Sequence, residues 1–181
     1  LVNLPDGSVL YSRRDAHEIV RLDPATGTKT VVGRVPNATS TDGEGGSMGL
    51  AIASDFATDP WLYIMHTTAS DNRVVRIRYT AGALDTTTTD VLLSGILRNK
   101  YHNGGRLRFG PDGMLYVATG DAQNGNYAQA LTGTGALNGK ILRMTREGDV
   151  PSDNPFGSYV WSYGHRNPQA LAFDSQGRLW Q

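Results

Sequence analysis

Leu4-Pro5-Asp6-Gly7-Ser8-Val9-Leu10-Tyr11 and, much later, Gly110-Pro111-Asp112-Gly113-Met114-Leu115-Tyr116 are two copies of one pattern, a Pro-Asp-Gly turn running into an apolar-aromatic strand. The chemistry of such a turn is local: Pro presets φ, Asp bonds its own backbone, and Gly accepts a left-handed conformation. A weaker copy is Asp174-Ser175-Gln176-Gly177-Arg178-Leu179-Trp180, and Thr58-Asp59-Pro60-Trp61-Leu62-Tyr63 puts Pro where the others have Gly. Gly7, Pro60, Gly113 and Gly177 are then separated by 53, 53 and 64 residues. A period near fifty, with several short strands in each repeat, is the signature of β-propeller blades carrying loop insertions. The strand after each turn is expected inside its blade. The more polar run Val74 to Tyr79, with Arg73, Arg76 and Arg78, is expected outside.

The rest of the chain agrees with an all-β fold. Trp61-Leu62-Tyr63-Ile64-Met65 and Met114-Leu115-Tyr116-Val117-Ala118 are short, rich in aromatic or β-branched residues, and bounded by turn formers. Twenty-two Gly and eight Pro imply frequent tight turns, and no stretch sustains helical apolar spacing. Trp61, Trp161 and Trp180 are expected to fill the core between blades, and His17 and His66 to be structural. Three repeats and the start of a fourth do not close a ring, because propellers have roughly four to eight blades and open edges invite aggregation. The whole span 1–181 is therefore expected to be a partial β-propeller domain, completed by another chain, a missing continuation or oligomerisation. Its start on Leu1 rather than Met implies processing or cutting.

Composition narrows the function. Seventeen basic residues balance seventeen acidic ones, which gives no general affinity for nucleic acid or an anionic membrane. No apolar run is long enough for a membrane span. The absence of Cys excludes disulfides and thiolate metal sites. Gly133-Thr134-Gly135-Ala136-Leu137-Asn138-Gly139 hints at a dinucleotide loop, but its last Gly is one residue late and no helical pattern follows.

Two loops carry chemistry. Gly164-His165-Arg166-Asn167-Pro168-Gln169 puts a permanently charged planar fork of donors beside an imidazole and two carboxamides, an array able to grip an anionic, carbonyl-rich ligand. A polar loop capping backbone groups is the plain alternative. Tyr101-His102-Asn103-Gly104-Gly105-Arg106 sets a His beside a Gly pair just ahead of a strand, where it can project toward a central channel and accept a proton near neutral pH. Asp121, after Gly120 at the far end of the next strand, is the candidate to fix the His102 tautomer, or else a turn aspartate bonded to its own backbone.

Six segments occur in a fixed order: His102-Asn103-Gly104-Gly105-Arg106-Leu107, Gly110-Pro111-Asp112-Gly113, Thr119-Gly120-Asp121, Leu137-Asn138-Gly139-Lys140-Ile141-Leu142-Arg143, Val150-Pro151-Ser152-Asp153-Asn154-Pro155-Phe156 and Gly164-His165-Arg166-Asn167-Pro168-Gln169. With Asp42-Gly43-Glu44-Gly45-Gly46-Ser47-Met48-Gly49-Leu50-Ala51 upstream, the series resembles the glucose/sorbosone dehydrogenase family, the soluble PQQ-dependent aldose dehydrogenases. The resemblance implies a six-bladed propeller that is secreted or periplasmic, with PQQ over the channel mouth and calcium as a second cofactor. It implies that His102 is the general base for the anomeric hydroxyl, that Asp121 orients it, and that Arg166 binds the quinone oxygens. Asn167 and Glu44 match positions beside the cofactor. The product would be the lactone, and electrons would pass to an external acceptor.

The remaining cationic partners of PQQ and the calcium ligands are expected outside these residues, so no metal ligand is assigned within the chain. Ala170 stands where the family commonly has Gly. Two other functions compete: a non-catalytic binding propeller like the hedgehog-interacting proteins, and a lactonase using a channel metal, for which Glu44, Asp121 and Asn167 are only loose candidates.

Overall fold

The computed structural model describes residues 1–181, and each expected turn joins the first two strands of an antiparallel sheet. The first sheet runs β1 (Val2–Asn3), β2 (Val9–Arg13), β3 (Glu18–Leu22) and β4 (Lys29–Arg34). The second runs β5 (Ser47–Ile52), β6 (Trp61–Thr67), β7 (Asn72–Thr80) and β8 (Ala83–Ile96). In the third, β9 (Gly104–Phe109) pairs β10 (Leu115–Thr119), a short helix α1 (Gly125–Gln129) intervenes, and β11 (Lys140–Met144) and β12 (Val160–Tyr163) follow. The hairpin β13 (Ala172–Phe173) and β14 (Leu179–Trp180) opens a fourth unit. Three four-stranded blades and the beginning of another are what the sequence period implies.

The turns work as their residues dictate. Asp6, Asp112 and Asp174 each accept a backbone N–H two residues on, at 2.9, 3.1 and 2.9 Å. Gly7, Gly113 and Gly177 hold φ of 82°, 76° and 75°, a region that L side chains resist. Pro60 cannot take that role, and there Trp61 N–H donates instead to the Asp59 carbonyl at 2.8 Å.

Blades pack face to face. Along β6, Leu62 and Ile64 join a core with Leu10, Ile19 and Leu50 of the first two blades, while Tyr63 and Met65 join Leu107, Val117 and Leu142 of the third. Successive side chains of a strand point to opposite faces, so a strand buried on both reads as a continuous apolar run. Where β5 meets β9, a Cβ on Gly49 would collide with the Gly105 carbonyl, and one on Gly105 would meet Met48.

The strand after each turn lies inside its four-stranded sheet as expected, second in order with β1, β5 and β9 first, and two other expectations change. The Arg-bearing strand β7 lies third, between β6 and β8, rather than at the outer edge. It tolerates its arginines because Arg76 and Arg78 stack over the Trp61 ring, 4.6 and 4.3 Å from its centroid, and Arg76 also bonds Asp90 at 3.0 Å. Nor are two of the three tryptophans core: Trp161 and Trp180 are 36% and 60% exposed, with Arg143 stacked over Trp161 and Trp180 Nε1 donating to Asp174, while half-buried Trp61 does pack against the core of the second and third blades.

His66 is structural as expected, buried at the end of β6 opposite Ser47, and burial pushes its imidazole down to about 4. Its folded pKa lies below the unfolded value, so the unfolded chain binds the proton first as the pH falls. That contribution to stability is complete above about pH 6.5 and is lost as the pH drops toward 4. We expect urea unfolding to show the wild type losing on the order of 3 kcal/mol between pH 7 and pH 4 that His66→Leu does not lose. Parallel pH profiles for the two proteins would refute this.

Candidate functional site

The strand ends bring four connections to one end of the molecule: the segment before β5, the segment before β9, the turn after β10, and the turn after β12. His102 sits in the second of these with φ of 62°, a left-handed backbone that costs a β-substituted residue energy unless its surroundings enforce it. They do. His102 N–H donates to Glu44 Oε2 at 2.7 Å, its carbonyl accepts Ala122 N–H at 3.1 Å, and a side chain on Gly120 would strike that carbonyl.

The side chains continue the pattern. His102 Nδ1 lies 2.8 Å from Asp121 Oδ1, and the two side chains are 14% and 8% exposed. A carboxylate at that distance accepts from Nδ1–H, which leaves Nε2 with its lone pair free. Asp121 Oδ1 also accepts Gln123 N–H at 2.8 Å, so the orienting aspartate and the turn aspartate are one residue. Asp121 N–H in turn donates to the Arg166 carbonyl at 2.8 Å. Asn167 bridges: its Oδ1 accepts Gly104 N–H at 2.9 Å and its Nδ2 donates to Glu44 Oε2 at 2.9 Å.

All five residues singled out in the sequence thus meet, though in two roles. His102, Asp121 and Arg166 line an open cleft of about 600 Å³, together with Gln123, Gln129 and His165. Arg166 is exposed there, and its guanidinium makes no hydrogen bond or ion pair with the protein. Glu44 and Asn167 stitch the loops together behind it. Chemically, the cleft offers an imidazole held by a carboxylate and, in the same lining, a permanent cation free for a ligand's oxygens.

Sequence reasoning missed a buried amide layer under His102. Asn103 Oδ1 accepts from Asn72 Nδ2 and Asn99 N–H at 3.0 and 3.1 Å, while Asn103 Nδ2 donates to the Asn99 carbonyl at 2.8 Å. Asn138 ties Leu97 to Gly120 in the same way. It also missed Lys140, wholly buried at the start of β11. His165, named in the sequence as the imidazole beside Arg166, has its pKa lowered by burial and then by the Lys140 charge. Asn103, Asn138 and Lys140 all lie inside the quoted motifs. The available signal was a polar residue set directly against a glycine or an apolar strand.

Comparison with known proteins gives the site a context. The family model described as Glucose / Sorbosone dehydrogenase matches residues 1–181. The quinoprotein glucose dehydrogenase B of Acinetobacter calcoaceticus is 33% identical over 98% of this chain and 44% of its own length. The aldose sugar dehydrogenase of Escherichia coli is 28% identical over 99% of the chain and 51% of its own. Among solved structures, the PQQ-bound aldose sugar dehydrogenase of Streptomyces coelicolor superposes with a TM-score of 0.91 at 45% identity, covering 97% of this chain and 53% of that one. The chain spans about half the length of the relatives it matches. On a match that runs the full length of its sequence, this chain belongs to the glucose/sorbosone dehydrogenase family.

Proposed function

We propose that this chain supplies the proton acceptor and one quinone-binding arginine of a PQQ-dependent dehydrogenase that oxidises an aldose at C1 to the lactone. One observation carries the reading: the His102–Asp121 pair, closed at 2.8 Å, faces the unpaired Arg166 guanidinium across a single cleft. The hedgehog-interacting proteins are related more distantly, the mouse protein being 27% identical over 72% of this chain. A passive binding surface gains nothing from an imidazole locked in one tautomer, which supports the enzymatic reading.

The donor set suits the quinone end of PQQ. Arg166 offers a planar, permanently charged fork to adjacent carbonyl oxygens, and Asn167 sits beside it. The cofactor, when bound, supplies the hydride acceptor. Everything else falls to the chain. His102 Nε2 takes the proton of the sugar's anomeric hydroxyl, which makes the C1 hydrogen easier to give up as hydride. Asp121 keeps Nδ1 protonated and stabilises the imidazolium that results. Arg166 steadies negative charge that grows on the ligand's oxygens, in a site already built for it. Gln123, Gln129 and His165 stand along the cleft as hydrogen-bonding groups for sugar hydroxyls.

PQQ carries three carboxylates, and the cleft offers one unpaired guanidinium. We therefore assign the other cations, the calcium ligands and the closing blades to polypeptide beyond these 181 residues. The electron acceptor is external, and the compartment is the periplasm or the exterior. No helix is long and apolar enough to cross a membrane.

The purified 181-residue chain is expected neither to hold PQQ tightly nor to reduce a dye with glucose. In the complete propeller, His102→Asn should lower kcat/KM by about 10²- to 10⁴-fold, the ordinary worth of a placed base. A variant with near wild-type turnover would remove His102 from the chemistry. Glu44 tests the scaffold separately. Glu44→Ala leaves His102 N–H and the Asn167 amide without their shared acceptor and should cost about 1–3 kcal/mol in urea unfolding, while Glu44→Gln keeps an accepting oxygen and should cost much less. Equal losses in the two variants would rule out the clamp.

A further inference from the structure

Lys140 is a buried cation that the proposed chemistry does not use. It opens β11 with no exposed surface and no carboxylate within ion-pair distance. Its ammonium instead meets three backbone carbonyls, donating to Tyr127 at 2.7 Å, Ala128 at 3.1 Å and Asn138 at 2.6 Å. Burying a lone charge is costly and persists only where dipoles replace the lost water. Two of those carbonyls belong to α1, a one-turn helix whose last carbonyls have few partners of their own.

The bonds lead straight to the cleft. The Ala128 carbonyl that accepts from Lys140 also accepts Gly164 N–H at 2.9 Å, so one oxygen joins the ammonium to the turn bearing Arg166. Gly139, next to Lys140, accepts His165 N–H at 3.0 Å and donates to the Gly120 carbonyl at 2.9 Å. A Cβ on Gly139 would collide with both Ala128 and the His165 carbonyl, so the two walls touch with no slack. Gln129 of α1 and His165 face the cleft from these same two walls.

We infer that Lys140 is a positioning residue, whose ammonium clamps α1 to the Gly164-His165-Arg166 turn and so fixes one wall of the cleft and the bearing of Arg166. Its consequence for sugar oxidation rests on the function proposed above; the clamp itself does not. Burial holds the Lys140 ammonium down at about 8, which still leaves it mostly charged at neutral pH.

The chain has three lysines, Lys29, Lys100 and Lys140, which makes the test legible. In ¹⁵N-lysine-labelled wild type, the Lys140 ammonium should give a resonance protected from water exchange, and Lys29 and Lys100 should not. Lys140→Met should then speed amide exchange at Ala130, Gly164 and His165 by about tenfold or more while β6 and β7 keep their protection. The same variant should shift the Arg166 Nε resonance and leave that of Arg143, an arginine buried in the same blade, in place. An unprotected Lys140 ammonium overturns the proposal without recourse to any variant. So does a Lys140→Met chain whose Gly164–Arg166 signals match the wild type, or whose loosening is equal throughout β6 and β7. If the clamp responds as expected and the complete propeller still fails to oxidise aldoses, the functional reading falls and the positioning role stands.

Discussion

One oxygen atom, Glu44 Oε2, accepts hydrogen bonds from the His102 backbone and from the Asn167 side chain, and those two residues come from different blades. Glu44 itself precedes β5, so three consecutive blades are tied at a single point. The tie also sustains an unfavourable backbone, since His102 would leave its left-handed conformation if its N–H could find an acceptor elsewhere. Its imidazole direction follows from that φ, and the contact with Asp121 follows from the direction. Remove the shared oxygen, and the geometry of the His102 imidazole loses its cause.

The propeller makes such a tie possible. The second and third sheets are buried on both faces, so neighbouring blades are held by wide apolar contact and the loops at one end inherit fixed positions. The loops then need only short polar links, not a core of their own. Gly49 and Gly105 show how near the first strands must come for this, with the backbone of one blade occupying the space a side chain would take on the next.

The fold was legible because its signal is local and repeated. Asp6-Gly7, Asp112-Gly113 and Asp174-Gly177 form turns through bonds to their own backbone, so spacing alone recovered the blades. Strand order within a blade depends on partners far away in sequence, and the arginines of β7 misled because guanidinium stacking on Trp61 removes their need for the edge. Trp161 and Trp180 misled in the opposite sense: their size suggested core, and the residues beside them are largely polar. His102, Asp121 and Arg166 could be read from residue type and motif order. Lys140 and Asn103 could not, because their value lies in meeting backbone carbonyls and amides that only the folded loops bring together.

Charge sets which ligands these parts suit by themselves. Asp121 sets a carboxylate in the wall of the cleft, Glu44 sets another outside its lining, and Arg166 adds one unpaired cation. The carboxylates are engaged with His102, Asn167 and backbone N–H groups, so they do not neutralise Arg166. A ligand with a single oxyanion near Arg166 would find a partner there. One with several carboxylates would find its first charge matched and the others opposed, in a cleft too open for backbone dipoles alone to offset them. Under the proposed function, the Asp121 carboxylate keeps His102 in its accepting tautomer, and the Arg166 guanidinium is free to meet oxygens on which negative charge grows. On the function proposed above, the further positive charge that a polycarboxylate needs is assigned to polypeptide outside these blades.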